Sequence, residues 1–86
     1  MARATFFPLG TRIVPIRDVG PVRKGQPGIV TDIVNMPSFL WWRRKYVCIF
    51  AGNVSSVIEP VQLEARDHGY TVEQLQAPGH LMSPIG

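Results

Sequence analysis

Apolar and polar positions along this chain alternate on a short period, and Gly, Pro and Asn break the runs before any helical repeat can build up. From Gly10 to Arg17 the stretch GTRIVPIR puts Arg12, Val14 and Ile16 on one face of a strand and Thr11, Ile13 and Arg17 near the other. Pro15 has no N–H to give a ladder, so the pattern predicts an edge position or a bulge there. Asp18 to Pro27 is dense in Gly and Pro and reads as a loop. GIVTDIVN then brings a run of β-branched residues, a second strand. Within it Gly28, Val30 and Ile33 are spaced two and then three apart. One core face sampled in that way requires a surplus residue at Thr31 and Asp32, a β-bulge that bends the strand, with Gly25 and Gly28 forming the turn that feeds it. NMPSFLWW is an irregular connector.

RRKYVCIF, AGN and VSSVIE make two extended runs joined through Gly52 and Asn53, residue types that accept the positive φ of a hairpin turn. Pro60 stops the second run, PVQ predicts one 3₁₀-like turn, and a short last strand is expected at Leu63 to Ala65. Thr71 followed by Gln74 has capping-box spacing and predicts a single short helix from Thr71 to Gln76. APGHLMSPIG has no regular pattern. The elements add up to a small all-β barrel or sandwich of four to five strands with an irregular C-terminal tail. Residues 1–9 read as an N-terminal arm, 10–66 as the barrel and 67–86 as a C-terminal extension.

The chain has 86 residues, 45% of them hydrophobic and 17% charged. That is one compact domain, burying roughly 60–65% of the surface of its unfolded form. So high an apolar share with so little interior implies that some of it faces a partner or another copy of the chain. The single cysteine, Cys48, excludes an internal disulfide. The opening MARATFFPLG is cut by Pro8 too early for a signal peptide or a membrane span, so the expectation is a cytoplasmic soluble protein. The net charge of +3 is uneven: the chain up to Val57 carries about +6 and the remainder about −3.

A strand, a basic loop with KGQPG, a bulged strand, a hairpin and a short turn leading into LE together resemble the SH3-like small barrels. KGQPGIVTDI looks like the segment found in KOW-type barrels, the small barrel protein of photosystem I, the variable chain of ferredoxin-thioredoxin reductase, the C-terminal barrel of nitrile hydratase β subunits and NifZ-type nitrogen-fixation accessory proteins. The resemblance covers about Gly10 to Glu64. It implies a fold; members of this superfold differ in function.

Catalytic chemistry finds little to stand on. His68 and His80 lie twelve apart, Cys48 sits mid-strand, and no carboxylate pair is fixed by local spacing. A Cys48 nucleophile needs a histidine brought to it by the fold, and the simpler reading is a buried cysteine acting as a small hydrophobe. Two histidines and one cysteine without short spacing fall below a structural zinc site. No cofactor is implied. Gly25 and Gly28 lack a phosphate-loop arrangement, and with Gly52 they read as turn glycines.

Trp41, Trp42, Arg43, Arg44 and Lys45 form the sharper signal, two large aromatics followed by three cations. Aromatics beside cations suit a single-strand nucleic-acid surface, and Trp and Arg equally suit a protein-docking hot spot. The plain alternative is a barrel-capping Trp and solvated charges. Arg23 and Lys24 would extend the patch or steer an acidic partner. If Tyr46, Cys48 and Phe50 fill the barrel, Val47 and Ile49 point outward, where a solvated sheet carries polar residues. Either tail residues Leu75, Leu81, Met82 and Ile85 fold back over them or another protein does. The expectation is therefore a non-catalytic protein-binding module, an accessory or assembly subunit docking on a protein with an acidic or apolar surface or on its own copy. A KOW-like nucleic-acid-binding domain using the same loop is the alternative.

Overall fold

The computed structural model describes residues 6–37 and 42–77. Five strands, β1 (Arg12–Pro15), β2 (Gly28–Pro37), β3 (Trp42–Phe50), β4 (Val54–Ile58) and β5 (Leu63–Ala65), form one antiparallel sheet in the order β4-β3-β2-β1-β5. A 3₁₀ turn at Pro60–Gln62 links β4 to β5, and one short helix, α1 (Val72–Gln76), follows. Among the described residues no helix is long and apolar enough to cross a membrane.

Local chemistry accounts for the boundaries. The hairpin between β3 and β4 turns at Gly52 (φ 87°) and Asn53 (φ 61°), left-handed conformations that these two residue types tolerate. β4 stops at Ile58 because Pro60, two residues on, cannot donate to a ladder. Thr71 caps α1 in a reciprocal box: its hydroxyl accepts from the Gln74 N–H at 3.2 Å while the Gln74 side chain accepts from the Thr71 N–H at 2.8 Å.

The bulge lies where the spacing puts it. Val30 pairs with Cys48 and Asp32 with Val47, so Thr31 is surplus in the ladder. Its hydroxyl donates to the Val47 carbonyl at 3.1 Å, and the Asp32 carboxylate accepts the Ile33 N–H at 2.8 Å. Val30 and Ile33 thereby reach the same core.

Three expectations about the strands change, the first being that Asn35–Pro37 and Trp42, expected in an irregular connector, extend β2 and β3. β1 is an interior strand, flanked by β2 and β5, not an edge. Its ladder with β2 ends at Ile13, however, and Pro15 pairs only with Leu63 of β5. The Pro15 carbonyl accepts the Gly25 N–H at 2.9 Å, so the missing proline N–H falls where the β2 ladder has already ended. Gly28 is not a turn residue; it opens β2. A Cβ there would lie 2.5 Å from Phe50 Cδ1 and 3.0 Å from Ile13 Cδ1, so close packing is what demands glycine. Gly25 (φ 79°) and Gly52 do occupy left-handed turn positions.

Apolar residues collect on both sides of the sheet. The main core holds Ile13, Val22, Val30, Tyr46, Cys48, Phe50, Ile58, Leu63 and, from the N-terminal arm, Phe7, whose ring meets Tyr46 edge-on at 5.4 Å. The Phe7 N–H donates to the Tyr46 hydroxyl at 2.9 Å, giving this buried polar group a partner. A second, smaller cluster joins Ile29, Ile49 and Ala51 to Leu75 of α1, with Tyr70 and Val72 packed against them. Burying each such side chain contributes about 1.5–3 kcal/mol.

Candidate functional site

β2 and β3 outrun their neighbours. β4 reaches only as far as Tyr46, opposite Ile58, and the ladder with β1 ends at Ile29. The pairs Val34–Lys45, Asn35–Arg44, Met36–Arg43 and Pro37–Trp42 continue beyond both neighbours as a two-stranded ribbon. At 3.3 Å per residue, the four ribbon residues of β2 span about 13 Å.

Partners across an antiparallel ladder share a face, and successive residues alternate. Tyr46 points into the core, so Arg44 and Asn35 lie on the core side of the ribbon, and Arg43, Lys45, Val34 and Met36 on the outer side. Arg44 accordingly stacks over the Phe6 ring at 5.0 Å, a cation–π contact on the same side as the N-terminal arm. Arg43 and Arg44 are both exposed, and Met36 is 42% exposed beside Arg43.

The electrostatic pairing sets these two arginines apart. Arg12 meets Asp67 at 3.0 Å, Arg66 meets Glu64 at 2.6 Å, Arg23 meets Asp18 at 3.5 Å and Lys45 meets Glu59 at 3.9 Å. Arg43 and Arg44 have no carboxylate partner among the described residues. Arg17 and Lys24 have none either, but they belong to the loop after β1.

That loop does not join the ribbon. It enters β2 at Gly28, and Gln26 donates from its side chain to the Ala51 carbonyl at 2.7 Å, beside the β3–β4 turn. Arg23 and Lys24 thus lie near one end of β2 and the ribbon cations face its other end. Met36 lies eight steps along the strand from Gly28, about 26 Å. Within the loop, Asp18 accepts the Lys24 N–H and pairs with Arg23.

The expected outer apolar face has an intramolecular cover. Ile49 is 6% exposed beneath Leu75, so it is a packing residue and not a free contact surface. Val47 is half-buried, and its cross-strand neighbour Val57 remains 49% exposed. Trp41 lies outside the described residues, as do the side chain of Trp42 and the tail residues Leu81, Met82 and Ile85. Trp42 opens β3 opposite Pro37.

Cys48 and His68 are not brought together as a nucleophile and base. Cys48 is fully buried, and desolvation pushes its thiol up to about 12. His68 has both ring nitrogens engaged elsewhere: Nε2 lies 2.9 Å from the Gly28 carbonyl, and Nδ1 accepts the Tyr70 N–H at 3.1 Å. This arrangement fixes one neutral tautomer, with the proton on Nε2. His80 lies outside the described residues.

Sequence patterning missed the fastening of the segment after β5. Arg12 donates from Nε to the Tyr70 carbonyl at 2.9 Å, and the Asn53 N–H donates to the Leu75 carbonyl at 2.9 Å. These long-range bonds leave no mark in local spacing. Phe6 and Met36 were missed as neighbours of Arg44 and Arg43 for the same reason. No family model, curated protein or solved structure matches this chain.

Proposed function

We propose that this chain is a non-catalytic protein-binding module of the SH3-like small-barrel type, an accessory or assembly subunit that docks on a larger protein through the β2–β3 ribbon. The strand order and the 3₁₀ turn between β4 and β5 support the barrel reading. The observation that carries the docking reading is the pair Arg43 and Arg44, exposed on a projecting ribbon and lacking carboxylates among the described residues while four other cations have them. Arginine forks meet carboxylates in pairs of hydrogen bonds and are enriched at interface hot spots. Met36 and Phe6 add apolar area around them.

The test is the double variant Arg43→Glu/Arg44→Glu. It is expected to keep its circular dichroism spectrum and melting behaviour, since neither side chain is buried, and to lose capture of the wild-type partner set from native lysate. Unchanged capture overturns the proposal.

One observation favours a second reading. Cations on both faces of a two-stranded ribbon match the two phosphate walls of a groove. Anisotropy of labelled mixed-sequence DNA and RNA at about 50 and 200 mM salt tests it, with an expected log–log slope of about 0.7–0.9 per phosphate contact.

A further inference from the structure

Resting on the protein-docking reading, we infer that the ribbon recognises an extended acidic segment of the partner, which adds as a strand to the edge of β3 beyond the end of β4.

Three features point there. First, the edge is open. β3 runs from Trp42 to Phe50 but β4 accompanies it only from Tyr46 onward, and among the described residues no strand lies beside Trp42 to Lys45 on that side. In an antiparallel ladder every second residue directs its N–H and C=O away from its partner strand, so this edge presents backbone donors and acceptors in strand geometry.

Second, the charges alternate. Arg44 is on the core side of the ribbon, and Arg43 and Lys45 on the outer side. A flat acidic surface laid on one face would leave part of that charge unmet. A strand added at the edge sends successive side chains to alternate faces, so consecutive acidic residues meet Arg43 and Arg44 as cross-strand neighbours.

Third, the chain itself begins this arrangement. Glu59 follows Ile58, the last residue of β4, and lies 3.9 Å from Lys45. Pro60 then turns the chain away into the 3₁₀ segment. The incoming segment continues the line that Glu59 starts, with its acidic side chains opposite the next two cations.

The experiment uses the full chain and three fluorescein-labelled probes: a peptide with threonine and valine flanking a Glu-Asp pair, the same peptide N-methylated at alternate backbone nitrogens, and a mixed-sequence single-stranded DNA. The expected result is saturable binding of the first peptide, weakened about tenfold by N-methylation. Amide proton shifts confined to Trp42 through Lys45 and their β2 partners should accompany it. Equal binding by the N-methylated peptide overturns strand addition while leaving the docking reading intact. No binding by either peptide overturns the inference and makes Arg43 and Arg44 guards that keep the edge from pairing. DNA binding stronger than that of either peptide overturns both readings. Loss of peptide binding in Arg43→Glu/Arg44→Glu, with Arg23→Glu as a control in the exposed loop at the other end of β2, ties the signal to the two arginines.

Discussion

Gly28 and Phe50 face each other across the β2–β3 ladder so closely that a Cβ on Gly28 would fall 2.5 Å from the Phe50 ring. Both residues are buried, and Ile13 closes the third side, so the ring has no open direction in which to yield. Gly28→Ala should cost about 1–3 kcal/mol by overpacking. Phe50→Leu in the same chain should recover part of that cost. A urea titration of the two single variants and the double variant measures the coupling; additive losses would place the strain elsewhere.

Cys48 carries the pH prediction. Burial raises its thiol from 9.0 to about 12, so the folded chain holds the proton more tightly than the unfolded chain does. The stabilisation is complete below pH 9.0 and fades as pH rises toward 12, by up to about 1.4 kcal/mol per unit. Cys48→Ala should shed that alkaline slope while losing stability at neutral pH through the cavity it opens. In native protein at about pH 8, below the ordinary thiol range, the thiol should resist alkylating reagents until denaturant is added.

α1 is the element most open to selective release. Leu75→Ala removes the central side chain of the small outer cluster, at about 2–5 kcal/mol if the cavity stays open. His68→Ala should loosen the same segment by freeing the Tyr70 N–H and uncapping the Gly28 carbonyl. The Asn53 amide, bonded to the Leu75 carbonyl, reports directly. Its hydrogen exchange should accelerate in both variants while that of Cys48 and Phe50 stays slow, because local opening leaves the main core closed.

Tyr46→Phe tests the tie between the N-terminal arm and the core. The Phe7 N–H loses a buried acceptor, a cost of about 1–3 kcal/mol. Thermal unfolding of the variant should show the loss with the sheet otherwise unchanged.

Much of this fold was legible because its signals are local. The two-then-three spacing of Gly28, Val30 and Ile33 marked the bulge, Gly52-Asn53 the hairpin, Pro60 the end of β4, and Thr71 with Gln74 the helix cap. What stayed hidden depends on contacts distant in sequence. Pro15 suggested an edge because a lone strand does not tell on which side, or how far, its ladders run. Ile49 left two covers open, a returning Leu75 or another protein, because nothing in its own strand decides between them. Arg23 and Lys24 resembled Arg43 and Arg44 in composition, yet a strand's length divides the two pairs. The ribbon itself follows from unequal strand lengths, which only pairing reveals.

The surplus Thr31 gives β2 a change of parity. Before it, even-numbered residues face the core; after it, odd-numbered ones do. The ribbon half of the strand is therefore free to vary in length by two residues without turning any side chain over, whereas a change of one would exchange its faces. A second odd change restores the phase, so insertions and deletions in this segment should be tolerated in pairs, and deleting Thr31 alone should force Val30 or Ile33 out of the core.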